Sequence, residues 1–240
     1  MSKYFFDTEF LEGTQPKRFL GIKTGNTKPT IDLISIGVVS EDGREYYAIS
    51  KEFNLKEAWN RYQIEYDHNL FGGQARKIYW LRENVLLSIY KDNVHGDMRN
   101  HIPFSYSTMK GILKGFGKTN TQIAEEVKEF VDGIGEDISV GFGEHQFYGY
   151  YADYDWVVFC WLFGTMMNLP KGFPMYCIDL KQAIDSWVNG KGKHEVRARG
   201  FDLTLKRLKD RPDYPKQTNE HNALADARWN KKLYKFLKSL

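Results

Sequence analysis

The stretch Tyr4-Phe5-Phe6-Asp7-Thr8-Glu9-Phe10 sets an aromatic, β-prone run around two acids. Side chains on a strand alternate between faces, so Asp7 and Glu9 point the same way, about 6.6 Å apart at the backbone. Phe5, Phe6 and Phe10 are apolar enough for an interior strand, where two unpaired carboxylates would each cost several kcal/mol. Something positive must therefore meet them, and that requirement organises the reading of the rest of the chain.

Downstream, Ile31 to Val39 is a nearly continuous apolar run. Ser40-Glu41-Asp42-Gly43 carries an Asp-Gly turn signal and Glu45 to Ser50 is β-prone again, which predicts a hairpin. The intervening Gly13 to Pro29, rich in Gly, Thr, Lys and Pro, reads as a loop. From Leu55 to Tyr90 the pattern turns helical, with Ala58, Tyr62, Ile64 and Tyr66, then Ile78, Leu81, Val85 and Leu86, and predicts helix and loop. His95 to Tyr106 is irregular. Thr119 or Thr121 caps a helix through Ile123, Val127, Phe130 and Val131 that Gly135 ends. Asp137 to Phe142 and Phe147 to Tyr151 are strand-like, Trp156 to Met167 is an apolar helix, and Tyr176 to Leu180 adds a short strand before a helix through Ala183 and Trp187. A last helix, Asn222 to Leu240, places Leu233, Phe236, Leu237 and Leu240 on one face. Strands first, then helices and strands in alternation, describe an α/β fold with a mixed sheet flanked by helices. No repeat, low-complexity tract or linker divides residues 1–240, which read as one domain.

Composition narrows the function classes. At 42% hydrophobic and 27% charged, the chain is neither disordered nor collagen-like. No apolar run reaches the roughly 18 residues of a membrane span, and the opening meets Asp7 before a signal-peptide core forms, so a cytoplasmic protein with no membrane partner is expected. Cys160 and Cys177 form no C-x-x-C pair and read as buried thiols, which argues against a disulfide framework or a zinc ribbon. The net charge of +3 is too small to mark a nucleic-acid binder. Lysines and arginines from Lys181 to Lys216, with Lys231, Lys232, Lys235 and Lys238, serve either phosphate contacts or a solvated helix face.

Two further acidic positions join the first. In Asp153-Tyr154-Asp155, Asp153 is expected to cap the apolar helix, which leaves Asp155 for chemistry. In His221-Asn222-Ala223-Leu224-Ala225-Asp226, five helical steps set the ends about 140° apart around a helix axis. Asp226 therefore points inward from the last helix, while His221 lies before or at its first turn, free to swing over whatever the acids bind. Four carboxylates in one cleft repel at roughly 4 kcal/mol per close pair, and two divalent cations cancel that charge. All-oxygen ligation suits Mg²⁺ or Mn²⁺, and a pair of such ions ~4 Å apart activates a water and stabilises the leaving oxygen of an in-line phosphoryl displacement. Zinc fits poorly, with one candidate histidine and no paired cysteine.

Taken in order, Asp7-Thr8-Glu9, Asp155 at a helix start, and His221 with Asp226 five residues on resemble the three motifs of the DnaQ-like (DEDDh) 3′-5′ exonuclease family. The stretches Asp7-Thr8-Glu9-Phe10-Leu11-Glu12, Ile34-Ser35-Ile36-Gly37-Val38-Val39 and Glu41-Asp42-Gly43-Arg44-Glu45-Tyr46-Tyr47, and Tyr154-Asp155 followed by Cys160, look like its polyadenylate-specific 3′-exoribonuclease AS subfamily. The resemblance implies a ribonuclease-H-like fold and hydrolysis of single-stranded RNA from its 3′ end, with adenine preferred and nucleoside 5′-monophosphates released. It further implies two bound Mg²⁺ or Mn²⁺ ions held by Asp7, Glu9, Asp155 and Asp226, with His221 as general base, and a homodimer. Histidine is the side chain best suited to that proton transfer at neutral pH. The expected substrate contacts are Thr8, Phe10, Leu11, Glu12 and Tyr154. Phe10 and Tyr154 are placed either to stack on the terminal base or to fill the core, Leu11 to wedge between bases and Glu12 to read adenine.

Two features depart from that pattern. Bulky Trp156 follows Asp155, where the family usually has a small or polar residue, and residues 54–118 look like a helical or loop insertion. That insertion and the basic loop 13–30 serve to clamp RNA, to set its length preference or to mediate assembly. The same acids and histidine also suit a DNA 3′-exonuclease. From a different class, a nucleic-acid-binding module with an inactive site is disfavoured because every ligand type is present.

Overall fold

A computed structural model of the chain describes residues 2–20, 22–66, 75–133, 145–191 and 204–240. The strand expected over Asp137 to Phe142 and the helix end expected at Gly135 lie outside the described residues. The fold is α/β, a mixed five-stranded sheet flanked by helices and consistent with a ribonuclease-H-like fold. Its strands are β1 (Ser2–Gly13), β4 (Thr30–Ser40), β5 (Glu45–Ile49), β8 (His145–Gly149) and β9 (Ile178–Asp179), in the order β5-β4-β1-β8-β9. β1 takes the central position that its sequence demands, and runs parallel to β8 with Tyr4 opposite Phe147 and Phe5 opposite Tyr148.

The period of two along β1 sorts its side chains between two layers. Tyr4 and Phe6 share one face, where Tyr4 stacks on Phe147 of β8 at 5.3 Å and donates its hydroxyl to the carbonyl of Val131 at 2.8 Å, and Phe6 meets Trp156 and Phe159 of helix α6 (Asp153–Leu162) at 5.8 and 5.7 Å. Phe5 faces the other way, onto Tyr148 at 5.4 Å and onto Tyr234 of helix α9 (Ala223–Lys238) at 5.3 Å. Behind it lie Ile184 and Val188 of α7 (Leu180–Lys191), Leu208 in the helical residues 204–209 (α8), and Leu233 and Phe236 of α9. Truncating any of the fully buried phenylalanines should cost about 3–5 kcal/mol. The β4–β5 turn forms as its Asp-Gly pair predicts: Gly43 sits at φ 104° and the Asp42 carboxylate accepts from the backbone N–H of Arg44 at 2.9 Å. That bond, with those from Ser40 and the Arg44 guanidinium, holds the carboxyl of Asp42 well below its usual range.

The chain forms two compact units. One comprises the described residues up to Thr8, Ile36–Tyr47 and those from Ala124 on, and contains the two layers above; the other comprises Glu9–Ser35 and Ala48–Ile123. β1, β4 and β5 each run from one unit into the other. The core of the second unit gathers Leu55 and Ala58 of α1 (Leu55–Asn60), Val85, Leu86 and Ile89, and Met109, Ile112 and Leu113.

Three expectations are corrected. The loop over 13–29 contains β2 (Pro16–Phe19) paired antiparallel with β3 (Ile22–Asn26), and β3, exposed throughout, shows no alternation for a sequence reading to catch. Among the described residues the helical pattern over 55–90 holds only at its ends, in α1 and in a π-helical turn (Leu81–Leu86) continuing into α2 (Leu87–Asn93). Between them Ile64 and Tyr66 lie on β6 (Gln63–Tyr66), which pairs with β7 (Ala75–Ile78). Two helices, α3 (Met98–His101) and α4 (Tyr106–Phe116), follow where no periodicity stood out, the latter capped by Ser105.

Of two expected helix caps, one forms and the other is a fourth correction. Thr119 opens α5 (Asn120–Asp132) as one half of a reciprocal cap: its hydroxyl accepts from Gln122 N–H at 3.1 Å and its own N–H donates to Gln122 Oε1 at 2.9 Å. Asp153 is the first residue of α6 and not its cap; Ala152 takes the cap position and donates its N–H to Asp179 at 2.9 Å. Among the described residues no helix is long and apolar enough to cross a membrane.

Candidate functional site

The same alternation that builds the core places the acids. Asp7 and Glu9 continue the Phe5 face of β1, toward α9, and α9 carries Asp226 in its first turn. One carboxylate oxygen from each of Asp7, Glu9 and Asp226 lies within 4.8 Å of the others. Among the described residues this is the group of acidic, histidine or cysteine side chains compact enough to share one ion. Glu9 and Asp226 are buried and Asp7 is partly buried, so their mutual repulsion is poorly screened. Three hard oxygen donors without nitrogen or sulfur fit a divalent cation of the Mg²⁺ or Mn²⁺ type, and the cluster can hold a metal ion.

Asp226 is positioned by three devices. Asn222 caps α9 by accepting from Ala225 N–H at 3.0 Å. The Asp226 carboxylate itself accepts from Gln217 Nε2 at 2.7 Å and from the backbone N–H of His221 at 2.9 Å. Burial pushes its pKa up, an effect those two donors partly offset. The third device is Gly37 on β4: a Cβ there would stand 2.4 Å from backbone atoms of Ala223 and Leu224. Only glycine lets the start of α9 come this close to the sheet. One turn beyond Asp226, buried Asn230 donates to the carbonyl of Phe6 at 2.9 Å and ties α9 to β1 immediately before Asp7.

His221 precedes the cap in a left-handed backbone conformation, φ 65°, which Asn219 also adopts at φ 57°. Its side chain is partly exposed, and its place just ahead of the helix is the one that the spacing to Asp226 predicts. Asp155 sits on the opposite layer. It projects from α6 toward the Tyr4–Phe6 face of β1, where its Oδ1 accepts from the N–H and the hydroxyl of Thr8 at 2.8 and 2.6 Å. Burial lifts the Asp155 carboxyl to about 6 against the pull of those two bonds.

Thr8 is buried, with its hydroxyl given to Asp155, and Leu11 is fully enclosed. Phe10 and Glu12 line a cavity of about 330 Å³ together with Glu9. Tyr154 is exposed beside Asp155. Trp156 turns into the core, stacked on Phe159 at 5.0 Å, and His145 is buried between the rings of Tyr4 and Phe173. Gln217, Gly37 and Asn230 are positioning residues that the motif reading passed over. Gln217 lies in a polar loop with no period, while Gly37 interrupts an apolar strand and is the one of the three with a sequence signal.

No protein-family model matches the chain. It is similar to two curated proteins, both named 3′-5′ exoribonuclease, from Mycobacterium tuberculosis strains CDC 1551 / Oshkosh and ATCC 25618 / H37Rv. Each is 29% identical over 180 residues, covering 75% of this chain and 72% of the relative. This distant similarity supports placing the chain among exonucleases.

Proposed function

We propose that this chain is a metal-dependent 3′-5′ exoribonuclease that shortens single-stranded RNA and releases nucleoside 5′-monophosphates, with adenine-rich 3′ ends preferred. The observation that carries the reading is the convergence of Asp7, Glu9 and Asp226 on one point, in a chain whose curated relatives are named 3′-5′ exoribonucleases. In the proposed site Asp7, Glu9, Asp155 and Asp226 hold two divalent cations, Mg²⁺ or Mn²⁺. Bound there, such ions supply Lewis-acid activation of a water and offset charge on the leaving oxygen. Asp155 joins by releasing its bonds to Thr8 or by sharing its second oxygen.

His221 accepts the proton of the attacking water on its imidazole. Its left-handed position ahead of α9 lets the ring approach from the loop side while its backbone N–H stays on Asp226. Gln217 holds the other Asp226 oxygen and so fixes the carboxylate plane. Phe10 offers a ring face to a base beside Glu9, and Glu12 an acceptor edge suited to an adenine amino group. The proposed active species is a homodimer.

Digestion of oligo(A), oligo(U) and oligo(dA) of equal length, with products resolved nucleotide by nucleotide, tests the assignment. Stepwise loss of nucleoside 5′-monophosphates from the 3′ end, fastest for oligo(A), is the expected result. Faster digestion of oligo(dA) would make the chain a DNA exonuclease, and binding without cleavage under either metal would make it an inactive nucleic-acid-binding module.

A further inference from the structure

Part of the lining of the cavity beside Glu9 is not provided by the exonuclease motifs. Phe10 and Glu12 come from β1, and Tyr62, Gln63, Ile78 and Trp80, on or next to β6 and β7, join them in the lining. Tyr62 and Trp80 are 45% and 40% exposed, and Tyr62 also meets the ring of Tyr79 at 5.8 Å. A volume of about 330 Å³ lies in the range of small-ligand sites, which pair apolar walls with a few polar groups. The polar residues of the lining are Glu9, Glu12, Gln63 and Arg61, of which Glu12 brings an acceptor and Gln63 both donor and acceptor.

The frame is rigid where it needs to be. Arg61 lines the cavity without offering it a free charge: its guanidinium donates to the carbonyls of Glu12 and Thr14, the latter at 3.0 Å, and its Nε to Glu57 at 3.1 Å. It clamps the end of β1 to α1. Lys77 sets its ammonium 4.3 Å from the ring centroid of Tyr62, one of the lining residues. Aromatic rings and hydrogen-bonding groups lining a cavity that also includes the candidate metal ligand Glu9, with a cation over one of the rings, match a nucleobase attached to a phosphodiester.

We infer that Tyr62 and Trp80 form the outer wall of a nucleobase subsite, which holds one of the two bases flanking the scissile phosphate against Phe10. This inference rests on the exoribonuclease reading and gives the segment around β6 and β7 a part in substrate recognition.

The test uses 5′-labelled oligo(A) with every base present, or with a single abasic ribose at the terminal or the penultimate position. First-cleavage rates are measured with Mn²⁺ for the wild type, Trp80→Ala and Tyr62→Ala, two exposed positions whose folding is checked by thermal melting. In the wild type, removing the base at one of the two positions should slow cleavage about 10- to 100-fold. Each variant should lose most of that difference by slowing on intact RNA, with its rate on the abasic substrate unchanged. If the wild type cleaves the intact and both abasic substrates alike, or both variants keep wild-type discrimination, the subsite is overturned and the exoribonuclease reading stands. If the wild type cleaves none of the substrates, the exoribonuclease reading fails and the subsite assignment falls with it.

Discussion

Thr8 donates both its backbone N–H and its hydroxyl to a single oxygen of Asp155, at 2.8 and 2.6 Å. The pair crosses from β1 to α6 on the layer opposite Asp7 and Asp226. It leaves Asp155 a buried acid lifted to about 6, a charge that the fold tolerates poorly when no cation meets it.

The pH dependence of stability follows from that shift. The folded-state pKa of Asp155 lies above the ordinary 3.8, burial being the main cause. Its contribution is therefore fully present below about pH 4 and is lost as pH rises through about 6. Asn at 155 keeps an oxygen for both Thr8 donors and removes the ionisation. With EDTA present, Asp155→Asn should be more stable than wild type at pH 7.5 by about 2–3 kcal/mol, and the difference should vanish near pH 4. Urea melts across that range check this. The same variant should lose exonuclease activity, whereas Asp153→Asn, at an exposed position two residues earlier, should leave both properties unchanged.

Gly37 makes a packing prediction. A methyl group at this position meets the backbone of Ala223 and Leu224 at 2.4 Å, and backbone cannot yield as a side-chain tip can. Gly37→Ala should cost about 1–3 kcal/mol and move Asp226 away from Asp7. Mn²⁺ affinity measured by calorimetry should fall in proportion, and unchanged affinity in a destabilised protein would separate Gly37 from the site.

His221→Ala tests the division of labour. The backbone N–H that holds Asp226 survives this change, so Mn²⁺ affinity should stay within a few-fold of wild type. Loss of the proposed general base should lower the single-turnover rate by about 10²–10⁴. A parallel loss of metal affinity would assign His221 to the ligand set instead.

The alternation of β1, the Asp-Gly hairpin and the apolar face of α9 were all legible because each is a period or a turn that burial enforces. Where residues stay exposed the signal fails: β3 has no inward face, and Ile64 and Tyr66 are half-exposed or more. The acids were legible as well, since unpaired carboxylates on a buried strand need a reason. Thr8, expected as a substrate contact, instead lies on the face of β1 opposite Asp7, with its hydroxyl on Asp155. That the partner is Asp155 depends on the placement of α6, which no local pattern specifies. Gln217 and Asn230 act through single hydrogen bonds to Asp226 and Phe6, contacts that leave no spacing to read.

The central claim is that the acids around Asp7 hold the metal ions that run hydrolysis from the RNA 3′ end. It is met most directly by following 5′-labelled oligo(A) with Mg²⁺, Mn²⁺ or EDTA, using wild type and a folded Asp7→Ala variant. A single-nucleotide ladder that appears only for the wild type and only with metal is the predicted result. A ladder that persists in EDTA, or at the wild-type rate in Asp7→Ala, would contradict it.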